Sequence, residues 1–260
     1  MFKTYTGSLP DLKTIQIQAS QKGLQRTEEW FEQRRGRFTG SKIKDLMSCS
    51  RSTAKLEWGR AEKLIDFGNT AKKYIYGRAK ERQRNKVVKI PSSAAMKYGT
   101  ENEIPVVKLL KKQYPDYIFE DVGFVEFIEG IAGASPDGRI ITPAKKIGLE
   151  IKCATDWNGV YDRHELPIDQ TNKDFWQLQG EMLALEVNEI MYVTAEPSEN
   201  IFEPNITDLS IKFIDASPIH QKAIEQRCMI ADAGIELYLN GLNFHEAIQK
   251  ACSDYEIETY

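Results

Sequence analysis

Two short segments constrain this chain most: Ser135-Pro136-Asp137-Gly138 and Leu149-Glu150-Ile151-Lys152. In the second, strand alternation sends Leu149 and Ile151 to one face and Glu150 and Lys152 to the other. Two strand residues rise about 7 Å, so the Glu and Lys project side by side. A strand buried in a core does not carry two charges on one face without a use for them. A strand over Glu129–Ala134, an apolar stretch over Arg139–Ile141 and a turn at Pro143–Lys146 predict a hairpin that brings Asp137 and Glu150 to one edge. A divalent cation held by those carboxylates, with Lys152 beside the attacking water, would cut phosphodiester bonds. A plainer reading stands beside this one. Ser-Pro-Asp-Gly is also a turn sequence, and Glu-x-Lys is ordinary patterning on a half-exposed strand.

The 260 residues show no composition break, so the expectation is one nuclease-sized domain over 1–260. Within it, 1–26 reads as an N-terminal extension, 27–115 as a mainly helical basic part, 116–214 as the sheet core, and 215–260 as a C-terminal helix and tail. No run of about 18 apolar residues and no signal pattern are found, which predicts a cytoplasmic protein without a membrane span. Cys49, Cys153, Cys228 and Cys252 are scattered and read as reduced thiols. With only His164, His220 and His245, a metal site would be built from carboxylates and suit Mg²⁺ or Mn²⁺. The net charge of −3 argues against nucleic acid, but its distribution does not. Met1–Lys112 holds 25 basic and 11 acidic residues, and the remainder holds 10 and 27. One DNA-facing side would produce such segregation; a dipolar surface without a partner would too.

Thr27 caps a predicted helix that stops near Gly36, and Thr39-Gly40-Ser41 caps a second over Lys42–Met47. Ser48–Ser52 reads as a loop and Thr53–Phe67 as a helix by period. Asn69–Ile90 is strongly basic, interrupted by Gly77, and fits a phosphate-tracking surface or a partly flexible loop. A helix follows within Met96–Tyr114, with Val106, Val107, Leu109 and Leu110 inward. Strands are expected over Tyr117–Phe119, Gly123–Phe127, Gly130–Ala134, Arg139–Thr142 and Gly148–Ala154. A polar connection (Thr155–Lys173), a helix (Asp174–Leu185), two strands (Glu189–Thr194 and Leu209–Ile214) and a final helix (Pro218–Leu239) complete the order. Helices around a central mixed sheet give an α/β or α+β sandwich.

In this order the motifs resemble a known family. Trp30–Ser41 is similar to its W-x-x-x-R-x-x-x-x-T-[GA]-S signature, and Tyr98–Glu103 to its aromatic-Gly-x-x-x-E segment. Ser135–Gly138, Glu150–Cys153 and Gln177-Leu178-Gln179 complete the series. The chain thus resembles the YqaJ-like viral recombinase group, similar to bacteriophage lambda exonuclease, within the PD-(D/E)xK nuclease superfamily with its restriction-endonuclease-like core. The resemblance spans about Glu28–Ile214. It implies that Glu103, Asp137 and Glu150 bind metal, with the Ile151 carbonyl as a further ligand. It implies that Lys152 positions or deprotonates the nucleophilic water and that Gln177 holds the lysine or the water. Arg34, Ser41 and Ser135 would grip a 5′-phosphate, Arg51 would contact the strand behind it, and Met96 would sit where the family carries an apolar wedge. Ser41 is expected at a helix N-terminus, where free N–H groups welcome an anion. Beside cations, Lys152 is expected to have a depressed pKa.

The implied activity is a Mg²⁺-dependent 5′→3′ double-strand DNA exonuclease using two ions, with Mn²⁺ as a substitute. It would leave 3′ single strands for an annealing protein in phage-type recombination, inside a bacterial host. Family resemblance implies a homo-oligomeric ring, a trimer, around the DNA. Two other readings remain open: a related nuclease of other polarity or endonucleolytic habit, and a non-catalytic DNA-end binder.

Overall fold

The computed structural model describes residues 25, 27–87, 93–197 and 208–257, apart from the side chains of Ala95 and Met96. The N-terminal extension, Lys89 and the Met96 wedge therefore lie outside the described residues or side chains. Helix α1 (Glu28–Arg34) starts where the cap signal places it, with the Thr27 hydroxyl accepting from the Trp30 N–H at 3.2 Å. Gly36, at φ +67°, ends the turn. Strand β1 (Phe38–Thr39) leads through a 3₁₀ turn (Gly40–Lys42) into α2 (Ile43–Leu46). The predicted second helix is thus split, and Ser41 sits in the 3₁₀ turn rather than at the start of a regular helix.

The helix expected over Thr53–Phe67 is reduced to α3 (Ala61–Leu64). Tertiary hydrogen bonds outcompete helix formation there. The Lys63 ammonium donates to the carbonyls of Ala54 (3.1 Å) and Leu56 (2.5 Å). Asp66 accepts from the N–H of Ser50 at 2.8 Å and its hydroxyl at 2.6 Å. The basic stretch is a continuous helix, α4 (Asn69–Arg84), not a loop. Ala71, Ile75 and Ala79 recur every four residues and bury a narrow stripe, while Gly77 faces open space and breaks nothing.

Helix α5 (Ala94–Gln113) precedes β2 (Ile118–Glu120), β3 (Val125–Ile128), β4 (Ala132–Ala134), β5 (Gly138–Ile141) and β6 (Lys146–Cys153). The connection after β6, expected to be irregular, contains α6 (Trp157–His164), capped by Asp156, whose carboxylate accepts from the Gly159 N–H at 2.7 Å. Then come α7 (Phe175–Leu185), β7 (Glu189–Ala195), β8 (Leu209–Asp215) and α8 (Pro218–Leu239). A further helix, α9 (Phe244–Asp254), lies in what reads as a tail, and buries Ala247, Ile248 and Ala251.

The strands form two sheets. One has the order β1-β4-β3, the other β2-β5-β6-β7-β8. In the larger sheet β6 and β7 are parallel and the other pairs antiparallel. Helix α5 covers one face: Val106 and Leu110 pack with Ile147, Leu149, Ile151, Met191 and Val193. Helix α7 covers the other face, and Leu178, Met182 and Leu185 pack with Ile190 and Tyr192. The same helix also packs on β3, β4 and the 3₁₀ turn, so it ties the two sheets together. Its sequence, FWQLQGEMLAL, is buried nearly all round, Gln179 and Glu181 included, as befits a helix between layers. This is the α/β sandwich the sequence predicts.

Arg227 of α8 is fully buried without a carboxylate partner in the described hydrogen bonds. Its guanidinium donates to the carbonyls of Leu46 (2.8 Å), Ser48 (3.1 Å), Lys63 (2.9 Å), Leu64 (3.2 Å) and Asp66 (3.1 Å). It stacks on Phe67 at 4.1 Å. One side chain thus satisfies the carbonyls left over where α2 and α3 end. Arg227→Leu strands several of them, each costing about 1–3 kcal/mol. Urea unfolding is expected to show a loss of at least about 3 kcal/mol, and a loss under about 1 kcal/mol would mean that water replaces the guanidinium readily.

Candidate active site

The hairpin β5–β6 forms as its sequence predicts, with Gly138 opposite Leu149. Asp137 stands one residue before β5, and its Oδ2 accepts from the Ile151 N–H at 2.7 Å. The first strand of the expected constellation, β4, belongs to the other sheet, so Ser135–Asp137 is the crossing between sheets. Leu149 and Ile151 are buried under α5, and Glu150 and Lys152 face α7. Glu103, on the first half of α5, joins Asp137, Glu150, Ile151 and Lys152 in lining one open cleft of about 670 Å³. Ser41 lines it as well.

Glu150 is only 3% exposed. Its Oε1 accepts from Lys152 Nζ at 2.5 Å and from Gln177 Nε2 at 2.6 Å. Gln177 Oε1 accepts from the same ammonium at 3.0 Å. Lysine, glutamate and glutamine therefore close a triangle. Burial and then the nearby Asp137 and Glu181 charges raise the Glu150 pKa well above the ordinary range. Burial works against the Lys152 ammonium, but Glu150, Asp174 and Glu181 together outweigh it and raise its pKa. That is opposite to the depression expected beside cations. The difference is one of sign: carboxylates alone hold the proton on lysine, and cations that take up their charge would release it.

Glu181 is a member of this site that the motifs do not name. It lies one turn after Gln177 and is 1% exposed. Its Oε1 accepts from Gln177 Nε2 at 2.7 Å, which fixes the amide so that Gln177 Oε1 faces Lys152. Burial, with a contribution from Asp137, lifts its pKa to about 8. Its trace in the sequence is a spacing of four from Gln177, which does not set it apart from Gln179 on the same helix. Behind Lys152, Asp174 Oδ2 accepts from Tyr192 OH at 2.7 Å and Arg163 Nε at 2.9 Å.

A second cluster adjoins the first. Ser135 Oγ accepts from Arg34 Nη1 and from Trp30 Nε1, both at 3.1 Å. The Arg34 guanidinium lies over the Trp30 ring at 4.1 Å. Trp30 thus holds both Ser135 and the guanidinium in place. Burial lowers the Arg34 pKa to about 10, still charged at neutral pH. Among the described residues no carboxylate pairs with it. The 3₁₀ turn is pressed against this crossing: a Cβ on Gly40 would lie 2.9 Å from that of Ala134. The Thr39 N–H donates to Tyr74 OH of α4 at 2.9 Å. Arg51 is exposed on the loop that Asp66 holds, outside the residues lining the cleft.

The expected basic surface on α4 is partly spent within the protein. Arg82 pairs with Asp232 (2.6 Å) and Glu236 (3.2 Å), Arg78 with the buried Glu81 (2.9 Å), and Lys80 with Tyr238. Lys73 and Arg84 remain exposed.

Metal fit can be judged from the donors. All are hard oxygens, and crowding of Glu150 with Asp137 is the repulsion a cation relieves. Among the described residues no three His, Cys, Asp or Glu side chains form a ready cage. Glu150 has its Oε1 turned to Lys152 instead. The residues fit a hard divalent cation by donor chemistry.

An Asp before one hairpin strand and Glu-x-Lys on the next, within an α/β sandwich, is the arrangement of the PD-(D/E)xK class. Residues 29–184 match the YqaJ-like viral recombinase domain, more than half of the chain, which therefore belongs to that family. No curated protein matches the sequence. Among solved structures, the fold is similar to the alkaline exonuclease LHK-Exo of Laribacter hongkongensis (TM-score 0.63, 22% identity, 87% of this chain and 99% of that one). It is similar to the same exonuclease in complex with dAMP (TM-score 0.64, 22% identity, 85% and 98% covered). A phage-related exonuclease from Haemophilus somnus 129PT is also similar (TM-score 0.55, 16% identity, 83% and 93% covered).

The raised Glu181 pKa has a consequence for stability. The folded state holds its proton more tightly than the unfolded chain, so its contribution is present below about 4.5 and is lost as pH rises through about 8. In metal-free buffer the unfolding free energy is expected to fall over that window. Glu181→Gln should flatten part of the slope in urea titrations from pH 5 to 9; an identical slope in the variant would place the proton elsewhere.

Proposed function

We propose that this chain is a Mg²⁺-dependent double-strand DNA exonuclease that degrades the 5′-ended strand and leaves a 3′ single strand for an annealing protein. The observation that carries the reading is the Glu150–Lys152–Gln177 triangle beside Asp137, next to Arg34 on Ser135 and Trp30, which has no carboxylate partner among the described residues. The similarity in fold to solved exonucleases supports it. Glu103, Asp137 and Glu150, with the Ile151 carbonyl, would hold two Mg²⁺ ions, and Mn²⁺ would substitute. When bound, such ions supply Lewis-acid activation of the phosphodiester and charge at the leaving oxygen.

The residues of the chain do the rest. Lys152 Nζ, held by Gln177 Oε1, orients the attacking water and exchanges a proton with it. Arg34 forks onto the 5′-phosphate, with the Ser41 and Ser135 hydroxyls as further donors. Because Ser135 is two residues from Asp137, a gripped terminal phosphate sets the reacting diester at a fixed distance from the carboxylates. Exposed Arg51 would follow the strand behind the end, and Met96 would part the terminal pairs. Three copies in a ring would keep the duplex from leaving between cuts.

Duplexes labelled at either end, with and without 5′-phosphate, test this directly. Wild type should release nucleotides from the 5′ end, and only with divalent cation. Lys152→Ala and Glu150→Gln should lose cleavage by at least about a thousandfold yet bind DNA in Ca²⁺. Arg34→Ala loses a charged hydrogen bond of about 1.5–3 kcal/mol, so its preference for phosphorylated over hydroxyl ends should shrink by about tenfold or more. Release from 3′ ends, or unchanged discrimination in Arg34→Ala, would contradict the assigned direction or pocket.

A further inference from the structure

Helix α6 begins four residues after the catalytic strand ends and forms one wall of the cleft through Asn158, Gly159, Asp162 and Arg163. Its inner side buries Val160. Its remaining side carries Trp157 and Tyr161, 65% and 57% exposed. They lie four apart, so their rings stand one above the other on the helix surface. At 3.6 residues per turn, Tyr161 is only about 60° around the axis from Asn158. Tyr161 therefore stands next to the rim of the cleft, and Trp157 lies about 40° further round the helix beside it. A tryptophan is seldom left so open to water, and neither ring stacks on another aromatic among the described residues. Packing among the described residues does not account for the pair.

We propose that Trp157 and Tyr161 form a stacking platform for unpaired nucleobases of a DNA strand at the mouth of the cleft, an inference that rests on the nuclease reading above. Two features select this occupant. The cleft beneath carries Arg163, paired to Asp174, and Lys173, paired to Asp162 at 3.2 Å, against five lining carboxylates, so a sugar-phosphate chain would enter it only with the divalent cations of the nuclease reading in place. The patch is also small. Two aromatic side chains offer about 150–250 Å² each, well short of the roughly 800 Å² per partner of a stable protein interface. Flat faces of any base would satisfy them, so the platform is indifferent to sequence and prefers unpaired strands over duplex. A nuclease that opens a duplex end at Asp137 and Glu150 has such bases within reach.

The test uses the whole chain with Ca²⁺ in place of Mg²⁺. Binding of a short oligothymidylate and of a blunt duplex is measured by anisotropy, tryptophan fluorescence is followed in parallel, and mass is measured by sedimentation. Trp157→Ala and Tyr161→Ala should each weaken oligothymidylate binding by about tenfold and duplex binding much less. Trp157→Phe should restore most of the loss, and the quench seen in wild type should vanish in Trp157→Ala. Because both side chains are exposed, folding is checked by circular dichroism and is expected to be unchanged. Wild-type affinity in both alanine variants, in a protein that cuts DNA, overturns the platform and leaves the nuclease reading standing. A wild type that neither binds nor cuts DNA overturns both. A fall in assembly mass in Trp157→Ala would make this face a contact between copies of the chain and overturn the platform.

Discussion

Two carboxyl groups, Glu150 and Glu181, are buried side by side against one lysine, and the arrangement of the layers follows from that. Neither could be kept dry unpaired, since an isolated buried carboxylate would take up a proton or unfold its surroundings. Gln177 resolves the conflict by donating to both, while its own oxygen takes the Lys152 ammonium. All of this requires α7 to lie flat on the polar face of β6. The same contact explains why α7 is buried all round and why it spans both sheets. A site meant only for stability would replace these groups with apolar side chains of similar volume at little or no loss. Their presence here fits the proposed site, where further positive charge would offset them.

The cluster around Arg34 is built differently. Arg34 is desolvated and has a tryptophan face and a serine hydroxyl for company, and in the proposed function its charge meets the terminal phosphate. The close packing of Gly40 on Ala134 brings the Ser41 turn to the same crossing that carries Ser135 and Asp137. Far from the cleft, Arg227 fastens the loops that follow α2 and α3 to α8. That framework lets residues widely separated in sequence meet at one edge.

The hairpin and its charges were legible because a period of two cannot be mistaken on Leu149–Lys152, and Pro and Asp announce the turn. Thr27 announced α1 and the apolar residues of Phe175–Leu185 announced α7. Glu181 was not legible, because within that run it reads as one polar residue of a helix; only the packing of α7 on β6 sets it beside Glu150. The basic count of the first half misled for the same reason. Arg78 and Arg82 have partners on Glu81, Asp232 and Glu236, and two of those lie some 150 residues further along. Thr53–Phe67 kept a helical period but gave up its helix to Lys63 and Arg227, whose hydrogen bonds to its carbonyls no local pattern records. Trp157 and Tyr161 passed unremarked in a stretch that reads as a polar connection.

For the Asp137–Glu150 edge to receive a hard divalent cation as proposed, Lys152 must yield Glu150 to it. Crystals of the protein soaked in Mn²⁺, with data collected at the manganese edge, test this most directly. The account predicts an anomalous peak bonded to carboxylate oxygens of Asp137 and Glu150, with Glu150 Oε1 turned away from Lys152 Nζ. A map with manganese elsewhere or absent, and the Lys152–Glu150 contact still at 2.5 Å, would contradict it.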